Sequence, residues 1–167
     1  MHETADDLRI LQGLLDRSYA MAGPHLLEIH TQERRLGASE LTATLTGVCV
    51  LALATVTADG RPRVSLVDGL FYRGTFWFGS SSDSVRLRHI RRRPAVSATH
   101  TRGQSLAVTV HGTAMETRLD AAPGFAGYCA DVYHPRYGDG WTQWAAEFPF
   151  ARIEADCMFA FASPDTP

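Results

Sequence analysis

Between residues 48 and 117 apolar stretches alternate with turn signals so closely that few folds can accommodate the chain. Residues 48–57 form a near-continuous run of Val, Leu and Ala, the pattern of a strand buried on both faces. Ala58-Asp59-Gly60 supplies a tight turn in which Gly60 can take positive φ. Pro62 then opens a return strand over 62–72, at a position where a missing N–H does no harm. Arg73-Gly74 turns that strand into another over 75–79. A basic helix over 84–93 follows, with Asp83 as the expected N-cap and Pro94 as its stop. Strands over 95–101 and 105–117 meet at Arg102-Gly103, and 150–161 reads as a last strand. Six strands joined mostly by short turns predict an α+β fold, an antiparallel barrel with helices packed outside it.

Ahead of the barrel, residues 4–21 predict an amphipathic helix. Leu8, Leu11, Leu15 and Tyr19 recur three or four apart, Leu14 widens the stripe, and Gly23-Pro24 ends it. A second helix is expected over 25–36, with Leu26, Leu27 and Ile29 inward, and a short one from Ser39 and Glu40 to Gly47. Residues 1–47 are therefore a helical extension and 48–167 the barrel domain, together one compact unit. Residues 123–147 read as helical or loopy, broken by Pro135, Gly138 and Gly140. Trp141 and Trp144, three apart there, suit packing or an interface.

Composition narrows the function. The net charge is −2, which gives the whole surface no electrostatic case for nucleic acid. All 16 basic residues are arginine, so no lysine Schiff base can form and pyridoxal-phosphate catalysis of the usual kind is excluded. Cys49, Cys129 and Cys157 are an odd, widely spaced set, unlike a disulfide framework or a zinc knuckle, and suit a reducing compartment. No apolar window is long enough for a bilayer, and Asp6, Asp7 and Arg9 interrupt any signal-like run. A cytoplasmic protein with no membrane partner is the expectation. The seven histidines show no H-x-x-x-H or H-E-x-x-H spacing, so no metal site is assigned. G-x-S-x-G, P-loop and G-x-G-x-x-G motifs are all missing.

The candidate site is the run 78–86, Phe-Gly-Ser-Ser-Ser-Asp-Ser-Val-Arg. Serine hydroxyls and free N–H groups at a helix start suit an anion, and Arg86 could fork onto phosphate oxygens. An ordinary capped turn with solvent-facing serines would read the same way. Arg63 and Ser65 share one face of their strand, and Val64 and Leu66 the other, so one face would meet a ligand and the other the barrel core. Arg88, Arg91, Arg92 and Arg93 suit a solvated face, those near the helix C-terminus being favoured by the dipole. His100 could face a ligand or haem, or be a hydrogen-bonded barrel residue.

Three of these segments carry a family resemblance. Leu53-Ala54-Thr55-Val56-Thr57-Ala58-Asp59-Gly60-Arg61-Pro62 resembles the LATV-x-x-DG-x-P opening of the pyridoxamine 5′-phosphate oxidase-like split β-barrel family. The run 76–94 is similar to that family's strand, serine or threonine, Ser-x-basic helix and proline. Val108-Thr109-Val110-His111-Gly112-Thr113-Ala114 resembles its V-x-V-x-G-x-A strand. The resemblance implies a six-stranded split barrel that dimerises, with flavin mononucleotide (FMN), or in some branches a deazaflavin or haem, in a groove at the homodimer interface. It implies that Ser65 contacts the ribityl chain or phosphate, that Ser80, Ser84 and Arg86 hold the phosphate, and that residues 64 to 67 (Val64, Ser65, Leu66, Val67) run past the flavin ring. Arg63 and His100 complete the candidate cofactor set. The implied activity is hydride transfer to or from a small molecule. Departures argue against vitamin B6 oxidation: Val85 replaces the first of two adjacent basic residues, and Leu106-Ala107 replaces an Arg-Gln pair. The family's C-terminal Trp and Arg-x-His find no match after Phe159. The sequence nominates no catalytic acid or base.

Overall fold

A computed structural model describes residues 2–163. Among them are six strands, β1 (Val48–Val56), β2 (Pro62–Tyr72), β3 (Thr75–Gly79), β4 (Ala95–Arg102), β5 (Leu106–Thr117) and β6 (Phe150–Ala162). They close into an antiparallel barrel in the order β1-β2-β3-β6-β5-β4. Six α-helices surround it: α1 (Ala5–Ala20), α2 (Pro24–Ile29), α3 (Ala38–Thr44), α4 (Val85–Arg92), α5 (Pro123–Tyr137) and α6 (Gly140–Glu147). The α+β barrel expected from the strand pattern is the fold observed.

Two apolar clusters hold the fold. Inside the barrel, Leu51, Leu53, Phe76, Phe78, Val108, Val110 and Met158 pack with Leu11 and Leu15 of α1 and Leu87 of α4. Outside it, α5 lays Phe125 against Trp77 with ring centroids 4.1 Å apart, and Tyr72, Cys129 and Phe150 fill in around them.

The ladders are unequal. β5 and β6 pair over twelve rungs with a bulge at His111/Gly112, whereas β3 pairs with β6 only at Trp77–Gly79. Beyond that contact the free edge of β6 is taken by the N-terminal segment. Ser18 Oγ accepts from Met158 N at 2.9 Å, and the Tyr19 hydroxyl donates to Ala160 O at 2.8 Å and accepts from Ala160 N at 3.2 Å. Leu36 N donates to the same carbonyl, and Arg35 bridges Phe161. Side chains of a helix thus substitute for a missing strand.

Several elements depart from the sequence reading. The helix expected over 25–36 stops at Ile29 and resumes only as a 3-10 turn, because the Arg35 Nε bonds back to His30 O and the chain then joins β6. β1 is buried on one face only: Cys49, Leu51 and Leu53 point inward, while Val50 is 47% exposed. Segment 123–147 forms two helices, and Pro135 sits inside the first, which breaks instead at Gly138.

The Tyr19 hydroxyl has one proton, given to Ala160 O, so His30 Nδ1, 3.1 Å away, must donate to it. Burial, and then the Arg35 guanidinium, hold the His30 imidazole below its ordinary value of 6.5. Below that value the unfolded chain takes up the proton more readily than the folded one, so this group's stabilisation falls as pH drops through 6.5. Urea unfolding at pH 7.5 and 5.5 should show a smaller loss on acidification for His30→Asn than for the parent protein. At the bulge, a Cβ on Gly112 would lie 2.1 Å from Glu154 O. Gly112→Ala should therefore lower stability by about 1–3 kcal/mol in the same assay.

Candidate functional site

The gap left by the short β3 ladder is where the polar residues gather. On the far side of β3, β2 pairs with it only from Gly69 to Tyr72, leaving the edge at residues 62–68 without a strand. The loop after β3 and the first turn of α4 lie against that edge. Arg86 donates from Nη2 to Leu66 O at 3.1 Å, serving one carbonyl of the open edge. A guanidinium has five N–H groups, so most of its capacity stays available.

Ser84, not Asp83, is the N-cap of α4. Its Oγ accepts from Leu87 N at 3.3 Å and from the Ser80 hydroxyl at 3.0 Å. The Asp83 carboxylate instead takes the Ser81 hydroxyl, which holds its carboxyl below the usual range. Asp83 is thereby engaged one step too early in the chain to cap. Among the described residues the Ser84 proton and the Val85 and Arg86 amides of this first turn meet no acceptor. Later arginines of the helix brace the surrounding loops: Arg88 bonds Asp83 O, Arg93 bonds Thr57 O, and Arg91 bonds Ser82 O and both oxygens of Glu116.

Two cavities share Arg86 as a wall. One, of about 590 Å³, is polar and lined by Arg63, Ser65, Ser84, Arg86, Thr55 and His89, with no carboxylate in its lining. Its back is set by Thr55 Oγ1, 3.0 Å from His89 Nδ1. The other, of about 750 Å³, is bounded by Leu66, Val67, Gly79 and Ser80 on the barrel side. Tyr133, Tyr137 and Trp141 close it from α5 and α6.

Of the residues nominated from sequence, Arg63, Ser65, Ser84 and Arg86 come together at the polar cavity, and Leu66, Val67, Ser80 and Arg86 at the aromatic one. Val64 lines neither and points outward, 68% exposed. The face of β2 that continues the barrel interior is the one bearing Arg63 and Ser65, since these pair with inward-facing Thr55 and Leu53. Val64 and Leu66, the apolar pair, lie outside. His100 also lines neither cavity: it is buried with Val96 and Ala98 on the inward face of β4, and its Nδ1 lies 3.0 Å from Val50 O. The aromatic wall was missed in sequence. Tyr133 and Tyr137, four apart on a helix, were its available signal.

Among the described residues no group of three metal-ligating side chains exists, and no helix is long and apolar enough to cross a membrane.

The fold and the paired cavities define a split barrel whose polar corner lies at a helix start. A family model described as pyridoxamine 5′-phosphate oxidase matches residues 38–156, and the chain belongs to that family as one of its oxidase-like members. No curated protein matches it. Among solved structures, a conserved hypothetical protein of Mycobacterium tuberculosis superposes with a TM-score of 0.67 at 18% identity, over 83% of this chain and 95% of that one. HutZ, a haem storage protein of Vibrio cholerae, gives 0.59 at 19% identity, over 74% and 93%. An FAD-binding protein of Mesorhizobium loti gives 0.56 at 22% identity, over 78% and 97%. At these identities the likeness is one of fold.

The capping assignment has a direct test. Ser84→Ala should cost about 1 kcal/mol in urea unfolding, while Asp83→Ala should stay within about 0.5 kcal/mol. Equal losses would return the cap to Asp83.

Proposed function

We propose that the protein is an FMN-dependent oxidoreductase, acting by hydride transfer on a small molecule. The observation that carries the reading is the polar cavity, where two arginines and two serine hydroxyls converge on a helix start with no carboxylate among them. A dianionic phosphate fits that chemistry, because each donor there can be charge-assisted by it. Arg63, Ser65, Ser84 and Arg86 would hold the phosphate and the polyol chain. Leu66, Val67 and Ser80 lead from there toward the aromatic cavity, whose walls would exclude water. When bound, the flavin supplies the hydride chemistry. The chain's own part is to bind, orient and dry the site. Tyr133 keeps its proton, because burial pushes its phenol well above the ordinary range.

The same reading makes the protein a homodimer with the cofactor groove at its interface. Support comes from the outer face of β1 and β2, where Val50 is 47% exposed, and Val64 and Leu66, opposite Ala54 and Ala52, are each 68% exposed. A face of that kind is normally covered. The haem alternative is weaker: His100 is interior, and His111 lies 2.7 Å from Ser97 Oγ on an outer face away from both cavities.

The visible spectrum of the protein as purified, followed by titration with FMN and with a deazaflavin cofactor, tests the assignment. FMN should bind saturably and the deazaflavin more weakly. Tighter deazaflavin binding would reassign the cofactor, and no binding of either would end the reading. Arg86→Ala should weaken FMN by about tenfold to a hundredfold, the value of one charge-assisted contact. In light scattering, Val64→Glu should halve the particle mass.

A further inference from the structure

One carboxylate of the aromatic cavity has no part in holding a flavin phosphate. Asp68 sits on the outward side of β2, opposite Val50, and lines the cavity with Tyr133, Tyr137 and Trp141. Among the described residues no cation pairs with it, and its charge is felt by the Tyr133 phenol, whose proton it helps to hold. Facing it is an aromatic corner: the Tyr133 ring centroid is 6.3 Å from Trp141 and 6.2 Å from Tyr137. Tyr133 and Trp141 are buried and held in place by the outer cluster, while Tyr137 is 54% exposed. Arg136 already packs over the Tyr137 ring at 5.4 Å, so that ring receives a cation from the chain itself.

A guest in this cavity meets three constraints. An anion would be repelled by Asp68. A neutral guest could offer the exposed carboxylate at most a hydrogen bond, with no charge to balance it. A cation would neutralise Asp68 and gain from the aromatic rings, whose electron-rich faces attract positive charge. The opposing charge in the lining is Arg86, which bonds Leu66 O and also faces the polar cavity. With a phosphate in that neighbouring cavity the Arg86 charge is balanced, and Asp68 is the unbalanced charge beside the aromatic walls. The volume, about 750 Å³, suits a small organic molecule.

We infer that the aromatic cavity selects a small organic cation, of the ammonium or pyridinium type, with Asp68 as its counter-ion and Tyr133, Tyr137 and Trp141 as its walls. The inference rests on the flavin reading of the neighbouring cavity, and it names the substrate class for that same site.

The test uses the full chain loaded with FMN and a size-matched probe series: benzyltrimethylammonium, benzyl alcohol and benzoate, each titrated by calorimetry. The ammonium should bind at least about tenfold tighter than the other two, and Asp68→Asn should abolish that preference, as expected for one charged contact. Tyr137→Leu, at an exposed ring, should weaken the ammonium by about twofold to fivefold. Benzoate binding as tightly as the ammonium, or a preference that survives Asp68→Asn, would overturn the inference. Circular dichroism of each variant checks that it is folded. The FMN titration is scored separately. If FMN binds and the probes show no ranking, only the cation inference falls. If FMN does not bind, the flavin reading falls and the probe ranking on the flavin-free protein decides the inference.

Discussion

The shortness of β3 governs the rest of the molecule. β3 has five residues, between a β2 of eleven and a β6 of thirteen. It cannot serve the whole edge of either neighbour, and unpaired backbone groups must find partners elsewhere or stay in water. The two edges are resolved in opposite ways. On β6, Ser18, Tyr19 and Leu36 satisfy backbone groups one by one and seal the barrel. On β2, a single arginine reaches the edge and the surrounding space stays open.

Arg86 therefore has a structural duty and an open binding capacity together. A planar guanidinium can give one N–H to Leu66 O and still present others to an anion, which a lysine ammonium on a flexible stem does with less geometric control. The other arginines of α4 stiffen the frame around it, with Arg91 linking the serine loop to Glu116 on β5. The serine cluster is correspondingly divided. Ser80 and Ser84 form a bonded pair at the helix start, and Ser81 is turned to Asp83.

Much of this was legible before any coordinates. The Asp59-Gly60 turn, the succession of strands along the chain and the polar corner at residues 80–86 follow from local chemistry, although the cap itself falls on Ser84 and not on Asp83. What could not be read is what depends on register and on the return of distant chain. The facing of Val64 and Leu66 is set by pairing with Ala54 and Ala52, and an apolar pair on a strand says nothing of which side is covered. The split of residues 25–36 arises from Arg35 joining a strand more than a hundred residues away. Asp68 gives no signal in sequence because a lone carboxylate within an apolar strand looks like ordinary surface, and only α5 and α6 give it an aromatic setting.

The clasp between Tyr19 and Ala160 joins residues 141 positions apart. During synthesis the first helix leaves the ribosome long before the last strand exists, and for that whole interval its Leu11 and Leu15 have no barrel to cover. Vectorial assembly from the N-terminus is thus closed to this architecture. The leading helix must wait for β6, and until that strand arrives its leucines stay exposed to water and to neighbouring nascent chains.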